Sequence, residues 1–494
     1  MDYKKLAAAG MSAALLLSIG GSALAKAPGS SPRESTPISQ SRPSDSGKTS
    51  SGAPKKGTAG LRSESDRVPE SGPAKKVPDA SGEQMNGKPS QKPTRKPNQK
   101  SETSSGGKQR KQSAEIEYDA ANSVSASATG ASYTSTNDSE NAVLVSGDKV
   151  TLTGVTVDKT GGASGDNADF YGINATVLAK DGAELTIEGA KITSNGAHAN
   201  GVFSYGEGTT VEISDSTITT TGNTSGGLMT TGGGTMIANN LTVKTSGNSS
   251  AAIRSDRGGG TVIVNGGSYE SNGVGSPAIY STADITVNEA TLTSTASEGV
   301  IVEGKNSVTL NGVTLTDTNT KHAGKSSTDK NIFLYQSMSG DASVGTAVFA
   351  ANDSAIITNR GDTIYVTNTT AKIELKNNRL VNNANGALLR VEAAKWGTAG
   401  KNGGDVTLEL ENQKAAGDII LDALSTLTMK LEDGSAYTGA INGANTAKSA
   451  ARTLETGSKW TLTGDSYVSS LSGDTNGVDL NGHTLYVGGV AWVK

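Results

Sequence analysis

The residues best suited to chemistry fall in two files of one repeated strand. The first reads Asn174, Phe203, Met229, Arg254, Tyr280 and Ile301, and continues to Phe333 and Tyr365. The second, two residues further along each strand, reads Thr176, Tyr205, Thr231, Asp256, Thr282 and Glu303. Flat rings beside an arginine suit sugar rings or a protein surface, and a row of exposed apolar side chains marks binding. Phe203, Tyr205, Met229, Arg254, Asp256, Tyr280 and Glu303 are therefore the candidate binding residues. Asp256 and Glu303 lie two repeats apart, which at about 4.8 Å per repeat puts them about 9.6 Å apart, near the top of the window for an inverting glycosidase pair. Arg254-Ser255-Asp256-Arg257 offers a cationic base and a neutralising charge for an elimination, or equally a surface ion pair. Outward carboxylates on an acidic body more often serve solvation, so the expectation is a binding face with no catalytic residues. Asp166, Asn167 and Asp169 could hold calcium in a loop, although a solvated turn is the plainer reading. His198, His322 and His483 are scattered and form no metal cluster or triad, so neither metal nor cofactor is expected.

These files need a scaffold that repeats, and the chain supplies one. Asn239, Asn265, Asn288 and Asn311 recur at intervals of 26, 23 and 23 residues, each closing an apolar-alternating run such as Thr-Val-Ile-Val-Asn from Thr261. Residues two apart in a strand share a face, so inward pairs can be read off: Val150 and Leu152, Leu185 and Ile187, Val211 and Ile213, Met236 and Ala238, Val262 and Val264, Ile285 and Val287, Val308 and Leu310. Five residues on from each pair comes a third inward column, Val157, Ile192, Ile218, Val243, Tyr269, Leu292 and Leu315. A preceding strand column, Ile173, Val202, Leu228, Ile253, Ile279 and Val300, carries the candidate face on its other side. The asparagines are expected at a sharp turn with left-handed backbone, where their amides stack as a ladder.

A period of 23 to 26 residues, all strand and turn, predicts a solenoid whose coils bury their faces only by stacking. On these repeats, the segment from about 142 to 320 resembles right-handed parallel β-helix proteins, the fold of pectate lyases, polygalacturonases, phage tailspikes and many adhesin-like proteins. Val-Thr-Leu-Asn-Gly-Val-Thr-Leu from Val308 and Gly-Gly-Gly-Thr from Gly258 resemble secreted β-helix proteins of Gram-positive anaerobes. The enzyme motifs of those families are missing: there is no adjacent aspartate pair, Gly-His-Gly, Arg-Ile-Lys or Asp-His. The resemblance therefore implies an all-β, right-handed parallel β-helix of adhesin type, binding polysaccharide or a host or cell-surface protein. Polysaccharide lyase or hydrolase activity is the alternative, and a structural matrix role a third. From residue 321 to 494 the alternation continues with longer insertions, and terminal caps are expected.

Residues 1–25, with Lys4, Lys5, an apolar stretch from Leu15 to Ile19 and Ala23-Leu24-Ala25, read as a secretory signal peptide. Residues 26–115 are Ser-, Pro-, Gly- and Lys-rich and too poor in aliphatic side chains to offset ordering entropy, which predicts a disordered basic linker. From 26 to 114 there are 18 Lys and Arg against 8 Asp and Glu, a net of +10; with +1 before them, the remainder carries −15 to reach the total of −4. The basic stretch is expected to bind anionic wall polymer, or to act as a spacer. With no cysteine and no later apolar run near the roughly 20 residues of a membrane-spanning helix, the expected product is a secreted or cell-surface monomer. Mild proteolysis should trim the chain to a resistant fragment beginning between about Glu115 and Asn141. A stable fragment starting well before Lys100, found by mass spectrometry, would refute that division.

Overall fold

The computed structural model describes residues 116–319 and 329–494. The expected signal peptide, the basic stretch and His322 lie outside them. Within them the chain is an all-β solenoid of parallel strands. Each coil carries a face strand and two wall strands, and every strand pairs with its counterpart one coil on. Eleven face strands, from Val143–Ser146 to Ile419–Leu421, form one parallel sheet in chain order. The walls form a second sheet of 22 strands, because Gly234–Thr245 and Gly260–Ser271 run unbroken around the corner where other coils stop and restart.

The pairing is residue for residue: Val211 faces Leu185 on one side and Met236 on the other. All seven inward pairs and the third column are buried, from Val150 to Leu315. Burial of one alternate set of side chains fixes this register, since a slip by one residue would turn every apolar side chain outward.

The asparagine ladder forms and extends one coil further than the four-residue spacing indicated. Asn265 donates to Asn239 at 2.9 Å, Asn288 to Asn265 and Asn311 to Asn288 at 2.8 Å, and Asn352 to Asn311 at 2.9 Å. The left-handed residue is not the ladder asparagine, as the turn argument expects, but the one after it: Asn240, Gly266, Glu289, Gly312 and Asp353. The ladder amide needs extended backbone to point along the stack, so the bend falls to its neighbour.

The first face strand is also corrected. Val177 and Ala179, not Ile173 and Ala175, align with Val202 and Ser204, because an excursion carrying helix α1, Asp166–Tyr171, shifts the count by four residues. Leu178 therefore takes the place given to Asn174 in the outward file.

At the far end Trp460 is wholly buried, its indole donating to the Gly439 carbonyl at 3.0 Å, while Trp492 packs partly exposed against the core. There Leu485–Val487 and Val490–Ala491 make the one antiparallel pairing among the described residues.

A second inward column is polar and serves the turn that follows each wall. Ser194, Thr220 and Thr245 donate to the carbonyls of Ala199, Ser225 and Ser250 at 2.7, 2.5 and 2.5 Å. In the same register Asp317 stacks between Ser294 and Thr358 and carries a carboxyl where these neighbours carry hydroxyls. Its burial, outweighing the nearby Asn319 N–H, pushes its pKa up to about 9. A carboxyl with a raised folded pKa holds its proton more tightly folded than unfolded. Its contribution to stability is thus whole below about pH 4 and lost as pH rises toward 9. Asp317→Asn should stabilise the solenoid at neutral pH by about 2 kcal/mol or more and flatten the fall between about pH 5 and pH 8, measured by denaturant titration.

Candidate functional site

The outward file of the face sheet is continuous in register: Leu144, Leu178, Phe203, Met229, Arg254, Tyr280, Ile301, Phe333, Tyr365, Arg390 and Ile420. It is not uniformly open. Leu178, Phe203 and Met229 are buried with Leu144 and Ala175 in a second apolar cluster outside the main core. Phe203 and Met229 are thus removed from the solvent-exposed platform they were expected to form.

The cover is the excursion before Val177. Gly172, left-handed at φ 79°, ends α1 flat against the sheet; a Cβ there would lie 2.7 Å from a Leu178 methyl and 3.2 Å from the Phe203 ring. The Thr231 hydroxyl donates to the Phe170 carbonyl at 2.6 Å, and Tyr118 donates to the Tyr171 carbonyl at 3.0 Å. Tyr205 stands at the margin, edge-on to Tyr171 with ring centroids 5.6 Å apart. The carboxylates that could have held calcium are engaged otherwise: Asp169 lies 2.5 Å from His198 Nδ1, and Asp166 lies 3.6 Å from Arg257. They sit on a helix rather than a loop. No group of three metal-ligating side chains occurs among the described residues.

Beyond Met229 the face opens. Arg254, Tyr280 and Ile301 are half-buried and floor a groove in two joined lobes. The smaller, about 290 Å³, lies between Phe170, Arg254, Asp256 and Asp341. The larger, about 660 Å³, runs over Ile301 and Phe333 to Trp396 and Lys395. Tyr280, Gly275 and Asp341 border both. One wall is aromatic. Phe333 stacks on Tyr335 with centroids 4.6 Å apart, and Trp396, from the loop after Leu389–Val391, leans on them at 5.4 and 5.2 Å.

The groove's charges are mostly paired. Arg254 holds Asp256 at 2.8 Å, Arg257 holds Asp341 at 2.7 Å, and buried Lys330 holds Glu298 at 3.2 Å. Burial pushes the Asp256 carboxyl up, and Arg254 opposes that rise. Burial likewise draws the Lys330 ammonium down against the pull of Glu298. Glu303 differs, because hydroxyls rather than cations surround it. Tyr280 and Tyr335 donate to its Oε2, the latter at 2.8 Å, and Ser337 donates to its Oε1. Burial, then the neighbouring Tyr335 and Glu303, push the Tyr280 phenol well up, so it stays protonated as a donor.

Of the residues expected from sequence, Arg254, Asp256, Tyr280 and Glu303 meet in the groove, Phe203 and Met229 lie under the cover, and Tyr205 lies at its edge. Asp256 and Glu303 stand on the same file, two coils apart, with Thr282 between them in register. Both are committed to internal partners, Asp256 to Arg254 and the Arg257 N–H, Glu303 to three hydroxyls. Tyr335, Lys330, Ser337, Asp341 and Trp396 were missed. Tyr335 was within reach of sequence reasoning, being two residues beyond Phe333 and so on its face of the strand. Trp396 was not, since a loop has no periodicity.

Compared with protein-family models, curated proteins and solved structures, the chain matches none. The stacked parallel sheets support the solenoid class, while kinship with secreted proteins of Gram-positive anaerobes has no support beyond the short phrases that resemble them. Because Phe203 is fully buried beneath Gly172 and Leu178, Phe203→Ala should cost about 3–5 kcal/mol of stability, read from the denaturant midpoint, rather than act as a silent surface change.

Proposed function

We propose that the protein is a non-catalytic, adhesin-like β-solenoid that binds a glycan in the groove over Arg254, Tyr280, Ile301 and Phe333. One observation carries this reading. The outward face is sealed along its first coils by α1 and then opens into a trough with an aromatic wall, Tyr335 and Trp396, and a floor of Arg254, Tyr280 and Ile301. Rings with a polar margin suit the apolar faces and hydroxyl rims of sugars, and a concave site with a few converging polar groups is the usual form of a small-ligand site. A protein partner would more naturally meet a broad flat patch than a trough of this size.

The binding-only reading is favoured over hydrolysis or elimination because Asp256 and Glu303 have their oxygens engaged by Arg254 and by three hydroxyls. General acid and base groups must reach the substrate's proton, and these are turned to partners within the protein. Export by the Lys4–Ala25 leader and tethering to anionic wall polymer by the basic stretch complete the proposal.

No helix among the described residues is long and apolar enough to cross a membrane. Trp396→Ala should lower retention on the cognate polysaccharide by about tenfold or more, the effect of removing an aromatic anchor, with the melting temperature unchanged. Retention should occur without release of reducing or unsaturated ends, scored in the same incubation across a polysaccharide panel. Product release would move the reading to an enzyme, and unchanged retention would move the site elsewhere.

A further inference from the structure

Resting on that glycan reading, we infer that the groove selects uncharged sugar residues against uronic acids, and that Glu303 is the residue that sets this preference. A hydroxyl has one hydrogen to give, and Tyr280, Tyr335 and Ser337 each give theirs to Glu303. What the two phenols can still offer a ligand is lone pairs only, and Ser337 has already given its own to the Ser339 N–H and hydroxyl. A sugar hydroxyl can donate to such a wall. A uronate carboxylate, which only accepts, cannot.

Charge points the same way. Arg254, Arg257 and Lys330 each face a carboxylate, Asp256, Asp341 and Glu298. Glu303, 1% exposed, has no cation within salt-bridge distance among the described residues. Its carboxylate lies in low dielectric, where a second anion nearby is repelled more strongly than in water. A ligand carboxylate beside Glu303 would meet this charge with no hydrogen of Tyr280, Tyr335 or Ser337 left to offset it. The neutral counterpart, with an alcohol in place of each carboxylate, would instead find the Tyr280 and Tyr335 oxygens placed to receive its hydrogens.

The test uses the full chain in about 0.5 M salt, which screens attraction of polyanions to the basic stretch. Groove-dependent binding is the difference between the unaltered chain and Trp396→Ala. The probes are polygalacturonate, alginate, hyaluronate and glucuronoxylan, each beside the same polymer with its carboxyls reduced to alcohols. Reduced forms should bind about tenfold or more tighter than their acidic parents, the order expected of one like-charge contact near a protein surface. Acidic parents binding as well or better would overturn the inference while leaving the glycan reading intact. Failure of every probe in both forms would overturn the two together. Glu303→Gln keeps the shape, removes the charge and adds an N–H donor, so it should raise affinity for the acidic forms about tenfold and bring the ratio near unity. A folded Glu303→Gln protein with the ratio unchanged would remove Glu303 from the role. Should that variant melt early, Ser337→Ala frees one carboxylate oxygen and should widen the discrimination; no change in the ratio there would count against Glu303 equally.

Discussion

Everything in this molecule hangs on strand pairing between coils that is parallel and in residue-for-residue register. Once Val211 is opposite Leu185 and Met236, each position of the repeat becomes a column along the stack. A column has one environment, so like must stack on like: aliphatics inward, asparagine amides in a ladder at one corner, hydroxyls at the turn after the wall. No coil could hold such a set alone, because each buries its inner face only against its neighbours. The same constraint makes a departure conspicuous. Asp317 puts a buried carboxyl between the hydroxyls of Ser294 and Thr358, and Arg452, beside the rings of Tyr437 and Trp460, puts a guanidinium where the two preceding coils carry Leu408 and Met429.

Register also accounts for the face. Because one strand column repeats through eleven coils, its outward residues form a track along the sheet, and what that track can do depends on what lies over it. Over the first coils the excursion with α1 lies flat, held by Gly172 against Leu178 and Phe203 and pinned by the Asp169–His198 and Asp166–Arg257 contacts. Arg257 then links cover to groove: its guanidinium sits 3.8 Å over the Phe170 ring and holds Asp341, which lines both lobes. The cover does more than shield apolar surface, since it builds one end wall of the groove.

Within the groove, ion pairing uses up charge and hydroxyl donation uses up hydrogens. Three cations face three carboxylates, and the remaining buried carboxylate, Glu303, draws in the hydrogens of Tyr280, Tyr335 and Ser337. The residues that looked most like a catalytic pair in sequence, Asp256 and Glu303, are thereby the ones most fully satisfied by their surroundings. A carboxylate's chemistry follows from its partners, and spacing along a repeat says nothing about those.

The sequence by itself determined the solenoid, its period, the three inward columns and the asparagine ladder, because these follow from alternation and recurrence, which are visible in one dimension. It also placed Arg254, Asp256, Tyr280 and Glu303 on neighbouring outward files of one strand. It misplaced the first coil at Ile173, since a helix inserted ahead of Val177 breaks the count without breaking the fold. Only the tertiary structure decided that Phe203 and Met229 are covered, that Trp396 reaches across to Phe333 and Tyr335, and which donors surround each carboxylate. Loops do these things, and their course obeys local packing rather than any period that the chain displays.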